Sequence, residues 1–153
     1  MENKKLTILV ASMTGNALIA AEEIQSFCEE KDINAKIEEL DNASINVITD
    51  NKGPIVMCSS TYGQGDVPDS AHRFYNELKE SAPDLSHVKY ALFGLGDMTY
   101  RDTFAFGGKK FDELFSSLKA IRIDEPYFHD ASDGSLPEEK AVEWFEEKIY
   151  KLL

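Results

Sequence analysis

Cysteine and histidine are scarce in this sequence, and their scarcity argues against two classes of protein. Cys28 and Cys58 are the only two cysteines, and neither belongs to a Cys-x-x-Cys pair. A disulfide framework is therefore not expected, and both thiols are predicted to be small core residues, one on a helix and one ending a buried strand. The three histidines, His72, His87 and His129, lack the spacing of metal ligands, so no metal site is expected.

Basic residues and long hydrophobic runs are also scarce. The chain has 16 lysines and arginines against 28 aspartates and glutamates, which gives a net charge of −12. Because a phosphate backbone needs a basic surface, nucleic acid is not an expected partner. An acidic surface favours docking to a basic partner, but it is also typical of proteins that need only solubility. No apolar run is long enough to span a bilayer or to act as a signal peptide, so no membrane association and a cytoplasmic location are expected.

The length and the lack of repeats, low-complexity runs and linkers predict a single domain over residues 1–153. Strands are predicted at Leu6–Ala11, Ala35–Leu40 (polar enough for a sheet edge), Pro54–Ser60, Val88–Gly94 and, more weakly, Ile121–Phe128. Helices are predicted from Asn16 to about Lys31, from about Asp69, from about Gly108 and from Pro137. This alternation predicts an α/β fold with a parallel sheet covered on both faces, whose ligand binds outside the carboxyl ends of the strands.

The loop after the first strand, Ser12-Met13-Thr14-Gly15-Asn16, leads directly into a helix. A helix start offers unpaired N–H groups and a partial positive charge, and the hydroxyl and amide side chains here add donors for an anion. The loop has neither the lysine of a P-loop nor the Gly-x-Gly-x-x-Gly of a dinucleotide site. It therefore suits a terminal phosphate that is bound and not transferred. A second interpretation stays open at this point, in which Thr14 and Asn16 only cap the helix.

The loops after the third and fourth strands combine glycines with aromatic residues. They read SSTYGQGDVPD over residues 59–69 and GLGDMTYRDTF over residues 94–104. Both are expected at the same sheet edge as the first loop. Aromatic rings can stack on the two faces of a flat heterocycle, and backbone groups of glycine-rich loops can reach its polar edge. A flat ring, a polar tether and one phosphate together describe flavin mononucleotide (FMN).

The motifs SMTGNA, SSTYGQGDVPD and FGLGDMTYRDTF, in this order, resemble those of short-chain flavodoxins of the MioC type. They also resemble the FMN-binding domains of diflavin reductases. The resemblance implies a flavodoxin-like doubly wound sheet of five parallel strands in the order 2-1-3-4-5, with FMN at the switch point between strands 1 and 3. It further implies that the insertion that splits the last strand of long-chain flavodoxins is absent.

The resemblance also assigns the cofactor contacts. It implies that the phosphate is held by Ser12, Met13, Thr14, Gly15, Asn16 and Ala17. It implies that the ring is held by Ser60, Thr61, Tyr62, Gly63 and Gly65 and by Leu95, Gly96, Asp97, Tyr100 and Phe104, with Tyr100 stacked on one face. One departure concerns the last loop, where Arg101, Asp102 and Thr103 separate the tyrosine from the phenylalanine, one residue more than is usual in the family. Ala105 also stands where the family often has cysteine, so the contact of Phe104 with the ring stays open.

By the same resemblance, the protein is expected to be an electron carrier and not an enzyme. Its flavin would pass electrons singly from a flavodoxin reductase to an acceptor protein. Four acidic residues after the last strand are expected at the flavin edge as part of the docking surface: Asp130, Asp133, Glu138 and Glu139. An interpretation as a solvated helix start is equally open. A monomer is expected.

Other function classes on related topologies fit less well. A receiver domain needs acids after the first strand and an acceptor aspartate after the third, where Ser12-Met13 and Ser59-Ser60 stand. A cysteine phosphatase needs an arginine six residues after its cysteine, and the residues after Cys58 lack one. Two alternatives stay open: an FMN-dependent NAD(P)H quinone reductase that acts alone, and a non-redox regulatory or assembly protein on the same fold.

Overall fold

The computed structural model describes residues 4–12, 15–51, 53–61, 67–96 and 105–153. The strands are β1 (Lys4–Ala11), β2 (Ile33–Glu39), β3 (Ile55–Ser59), β4 (Lys89–Gly96), β5 (Ile121–Arg122) and β6 (Tyr127–Asp130). The helices are α1 (Asn16–Glu30), α2 (Asn46–Thr49), α3 (His72–Ser81), α4 (Phe106–Ser117) and α5 (Pro137–Trp144). The sheet is parallel in the order β2-β1-β3-β4-β5, with β6 also paired to β4. This order confirms the predicted doubly wound architecture.

Apolar residues cover both faces of the sheet, because alternate residues of a strand point to opposite sides. Leu6, Ile8 and Val10 of β1 pack with α1 and α5 on one face. Leu9 of β1 packs on the other face, together with residues of α3 and α4. Every residue of β3 is buried, as expected of a central parallel strand, whereas β2 alternates buried and exposed residues at the sheet edge.

The predicted fifth strand is divided into two short strands that share one position in the sheet. Both pieces pair with β4 in parallel, β5 through Arg122 opposite Tyr90 and β6 through Tyr127 opposite Phe93. Residues 123–126 separate the two pieces while only residues 91–92 separate their partners on β4, so the chain bulges here, and Pro126, which has no N–H to donate, lies in the bulge. The chain stays close to β4, since Ile123 N donates to Tyr90 O at 2.7 Å. As a result β6 continues to the same edge at which β4 ends.

Other elements differ from the sequence predictions by small amounts. Helix α4 begins at Phe106, two residues before the predicted start, and the short helix α2 was not predicted. Helix α5 begins at Pro137 as expected. Both cysteines are fully buried and free, and burial raises the pKa of each thiol from 9.0 to about 12, with Glu29 adding to the shift at Cys28.

The sequence predicts neither a membrane-spanning segment nor a metal site. Within the portion that the structure describes, none of the helices combines the length and apolarity needed to cross a membrane. Among the same residues, no three histidine, cysteine, aspartate or glutamate side chains group together as metal ligands would. The assignment of residues 1–153 to a single domain stays a prediction.

Candidate functional site

The carboxyl ends of three central strands lie side by side at one edge of the sheet. Ala11 of β1 pairs with Ser59 of β3, and Ser59 pairs in turn with Gly94 of β4. The loops that follow these strands therefore start next to one another. This edge includes the point between β1 and β3 at which the strand order reverses, where doubly wound sheets bind their ligands.

The first loop ends in a helix start that suits an anion. Gly15 has a left-handed backbone with φ of 92°, and its N–H donates to Ser12 Oγ at 2.9 Å. Among the residues described, no side chain caps α1, and its first turn contains no acidic residue. A Cβ built on Gly15 would meet no described atom within 4 Å.

These observations bear on the two interpretations of this loop. Gly15 is the N-cap, and Asn16 is the first helical residue, so Asn16 does not cap α1. Ala17, the next residue, is fully buried and places no bulky side chain over the helix start. A helix start that no described side chain caps, together with the positive end of the helix dipole, fits a phosphate group.

The second loop is tied to the first at its start. Ser60 N donates to Ala11 O at 2.8 Å and continues the ladder by one bond beyond β3. Ser70, just before α3, donates its hydroxyl hydrogen to Ser12 O at 3.0 Å. Ser60 is only 7% exposed, and its carbonyl oxygen accepts from Ser59 Oγ at 2.9 Å. The first and second loops are thus held together by bonds at both ends of the 60–70 segment.

Thr61 joins the second loop to the third. Its Oγ1 donates to Leu95 O at 3.0 Å and accepts from Gly107 N at 3.1 Å. Leu95 precedes the third loop, and Gly107 lies in the first turn of α4, where that loop ends. One hydroxyl therefore connects the start of the second loop to both ends of the third.

Glycines permit the close approach of α4 to the strand ends. A Cβ on Gly107 would lie 2.2 Å from Ser60 O, and one on Gly108 would lie 3.1 Å from the Gly94 Cα. Only glycine fits at the first position without displacement of the backbone. The Gly-Gly pair at the start of a helix was the signal for this contact in the sequence, since glycine otherwise disfavours helices.

The loop after β6 brings acidic residues to the same edge. Asp130, which ends β6, pairs with Gly96, which ends β4. Asp133 follows on an exposed turn, and hydrogen bonds first from the Ser135 hydroxyl and then from its N–H lower the pKa of the Asp133 carboxyl. Glu138 and Glu139 lie in the first turn of α5. The structure thus places Asp130 beside the end of β4, and the role of the four carboxylates as a docking surface stays a prediction.

A buried histidine in this region was not foreseen. His129 is 2% exposed, and its Nε2 lies 2.8 Å from Ser135 Oγ and 3.9 Å from Asp133 Oδ1. Its ring faces that of Phe93 with the centroids 6.4 Å apart. A lone histidine in a weak strand pattern gives no sign in the sequence that it will be buried.

Eight of the predicted contact residues lie outside the described residues: Met13, Thr14, Tyr62, Gly63, Gly65, Asp97, Tyr100 and Phe104. The structure places the other eight, Ser12, Gly15, Asn16, Ala17, Ser60, Thr61, Leu95 and Gly96, at the ends of β1, β3 and β4 or at the start of α1. Ser70, Gly107 and His129 were not among the predicted residues.

Comparison with known proteins gives consistent matches. The family model for flavodoxin matches residues 8–145. The chain is 33% identical over 143 residues to Flavodoxin YqcA of Escherichia coli (strain K12), covering 94% of this chain and 95% of that protein. It is 35% identical over 148 residues to NADPH–cytochrome P450 reductase of Rattus norvegicus, covering 94% of this chain and 21% of the reductase. Among solved structures, a mutant of the flavodoxin from Pseudomonas aeruginosa superposes with a TM-score of 0.80 at 28% identity, covering 94% of this chain and 95% of that one.

Proposed function

The chain belongs to the flavodoxin family, and we propose that it is an electron carrier that binds FMN where β1, β3 and β4 end. The observation that supports this most strongly is the convergence of three loop stems on the switch point of the sheet, beside a helix start that no described side chain caps. FMN, when bound, supplies a ring that accepts and releases electrons. The protein supplies the binding, the orientation and the electrostatic environment.

The phosphate end is assigned to the first loop. Gly15, Asn16 and Ala17 would present backbone N–H groups of the helix start, and the Ser12 hydroxyl already orients the Gly15 amide. Met13 and Thr14 complete this loop in the proposal. No basic side chain is needed, because the helix dipole and several N–H donors can hold a phosphate that is not transferred.

The ring end is assigned to the second and third loops. We propose that Ser60, Thr61, Tyr62, Gly63 and Gly65 line one face and that Leu95, Gly96, Asp97, Tyr100 and Phe104 belong to the other. Stacking on Tyr62 and Tyr100 would contribute about 0.5–1.5 kcal/mol for each aromatic pair beyond the area buried. The net charge of −12 opposes further negative charge on the ring and so lowers the potential at which the second electron enters.

Electron transfer needs a donor and an acceptor protein. We propose a flavodoxin reductase and an acceptor enzyme that dock on the acidic loop, defined as Asp130, Asp133, Glu138 and Glu139. The support is that this loop leaves the sheet at the edge where β4 ends, within reach of a flavin bound there. NADPH–cytochrome P450 reductase, of which this chain matches 21%, carries a similar segment within a longer enzyme. A monomeric state, a cytoplasmic location and the absence of nucleic-acid or membrane partners stay predictions.

The optical spectrum tests the proposal. The purified protein, with and without added FMN, should show the absorption of a bound flavin, and reduction should proceed in two resolved one-electron steps. NADPH alone should not bleach the flavin, whereas NADPH with a flavodoxin reductase should, at a rate that falls as salt is added. A colourless protein that takes up no FMN would favour a non-redox role. Rapid bleaching by NADPH without reductase would favour a stand-alone quinone reductase.

A further inference from the structure

The hydroxyl of Thr61 is committed to the protein itself. A hydroxyl has one hydrogen to donate, and that of Thr61 goes to Leu95 O at 3.0 Å. The same oxygen accepts from Gly107 N at 3.1 Å. While these bonds persist, Thr61 cannot donate a hydrogen bond to a ligand. The oxygen has a second acceptor lone pair, but its one hydrogen is used within the protein, so we attribute its effect on a ligand to the segments that it joins.

Those segments are the stems of both loops assigned to the ring. Thr61 is the second residue after β3, Leu95 is the penultimate residue of β4, and Gly107 is the second residue of α4. The Gly107 contact is reinforced by packing, because its missing Cβ allows the helix backbone to approach Ser60 O. Beyond the β3–β4 pairing, which ends on the second-loop side at Ser59, the Thr61 hydroxyl and the close approach at Gly107 join the two stems.

A different hydroxyl, that of Ser70, holds the first loop by a hydrogen bond. Ser70 Oγ donates to Ser12 O at 3.0 Å, and within the described part of the chain it makes no hydrogen bond to Thr61, Leu95 or Gly107. Ser70 belongs to the turn before α3 and is exposed. The first loop, assigned to the phosphate, and the second and third loops, assigned to the ring, are thus held by different side chains.

We propose that Thr61 is a positioning residue for the flavin ring and that Ser70 is a positioning residue for the flavin phosphate. This inference rests on the proposed function, which assigns the ring and the phosphate to these loops. Loss of the Thr61 hydroxyl lets the two ring loops separate and weakens binding of any ligand that carries the ring. Loss of the Ser70 hydroxyl weakens binding only of a ligand that carries the phosphate.

Flavin titrations of matched variants separate the two effects. Thr61→Val keeps the shape of the side chain and removes both bonds, Thr61→Ser keeps both, and Ser70→Ala removes the bond to the first loop. FMN and riboflavin are the probes, because riboflavin has the same ring and ribityl chain without the phosphate. Loss of both hydrogen bonds is expected to raise Kd about tenfold.

Thr61→Val should therefore raise the Kd of FMN and of riboflavin by the same factor, about tenfold. Thr61→Ser should restore both values. Ser70→Ala should raise the Kd of FMN about threefold and leave that of riboflavin unchanged. The inference is overturned if Thr61→Val leaves riboflavin binding unchanged or alters the ratio of the two dissociation constants.

Amide hydrogen exchange at Gly107 distinguishes positioning from direct contact. In the FMN-loaded protein, Thr61→Val should speed exchange of the Gly107 N–H, while Thr61→Ser should keep it slow. If Thr61→Val weakens flavin binding without any change at Gly107, the hydroxyl acts on the flavin itself and the inference is wrong. If the wild-type protein binds neither flavin, the proposed function fails, and Gly107 exchange in the flavin-free chain still decides whether Thr61 joins the stems.

Discussion

Replacement of Asp112 by alanine should lower the free energy of unfolding by about 3 kcal/mol and leave flavin binding unchanged. The Asp112 side chain is 9% exposed. Its Oδ1 accepts from Tyr90 OH at 2.6 Å and from Arg122 Nε at 2.9 Å, and its Oδ2 accepts from Arg122 Nη2. These bonds connect α4 to β4 and to β5, and β5 is held by only two paired residues.

The magnitude follows from the burial of each partner. Tyr90 is 1% exposed, so its bond to a charged acceptor contributes about 1.5–3 kcal/mol. In the variant its hydroxyl is still 2.9 Å from Ser116 Oγ and does not become an unpaired buried group. The Arg122 side chain is 46% exposed, so water screens its ion pair and limits that contribution to about 1 kcal/mol or less.

The same reasoning ranks the variants. Tyr90→Phe should cost about 2 kcal/mol, because it removes the buried bond and leaves the Asp112–Arg122 pair in place. Arg122→Gln should cost about 1 kcal/mol or less. The double variant Tyr90→Phe with Asp112→Ala should cost less than the sum of the two single changes by about 1.5–2 kcal/mol, since both remove the same bond.

Urea unfolding followed by Trp144 fluorescence measures these changes. Trp144 is the only tryptophan, is 4% exposed and packs on the face of the sheet opposite Asp112, so it reports unfolding of the whole sheet. Tyr90 lies four residues before Gly94, about 13 Å along the strand from the loop stems, which is why flavin affinity should be retained. The reasoning is wrong if Asp112→Ala lowers the free energy of unfolding by less than about 1 kcal/mol, or if the effects of the two single changes simply add in the double variant.

The remaining predictions concern pH and the glycine turns. Burial raises the pKa of Cys58 and of Tyr90 to about 12, aided at Tyr90 by the bond to Asp112, so above pH 9 the unfolded chain binds fewer protons than the folded one. The free energy of unfolding should keep its full value below about pH 8.5 and should fall as the pH rises toward 12. Urea unfolding between those pH values should show a smaller fall for Cys58→Ala than for the wild-type protein. If the free energy of unfolding of Cys58→Ala falls as steeply with pH, the raised pKa of Cys58 is contradicted. Gly15→Ala and Gly134→Ala, at φ of 92° and 82° with no described atom near the new Cβ, should each lower stability by about 1–2 kcal/mol. In FMN titrations, only Gly15→Ala should also weaken FMN binding. If Gly134→Ala lowers the affinity for FMN by the same factor, the phosphate site at α1 is contradicted.

Local patterns in the sequence predicted most of the secondary structure. Buried apolar runs indicated β1, β3 and β4, and helical spacing indicated α1 and the packing face of α3, because both signals depend on residues within four positions of one another. The start of α4 was predicted two residues late, since glycine is a poor helix former and the contact that favours Gly107 comes from Ser60, far away in the sequence. Pro126 is visible in the sequence and cannot donate to a strand ladder, but the weak strand pattern around it gave no clear position for an interruption.

Some features of the candidate site could likewise be predicted from the sequence, and others could not. The anion-binding character of the first loop could be predicted, because a strand, a glycine turn and a helix start are adjacent in the chain. The burial of His129 beside Phe93 could not, and neither could the bond between Thr61 and Gly107, which lie 46 positions apart. Such pairs are decided by how the crossover helices pack on the sheet.

By itself the sequence determined where strands and helices form, that the sheet is parallel, that both thiols are internal, and, through three short motifs, which family the chain resembles. Tertiary structure alone decided that one threonine hydroxyl joins two loops, that an aspartate, a tyrosine and an arginine share one hydrogen-bond network, and that His129 is buried beside Phe93. The physical reason is range: side-chain periodicity and turn chemistry act between neighbours in the chain, whereas these contacts exist only after parallel strands distant in sequence have paired in register.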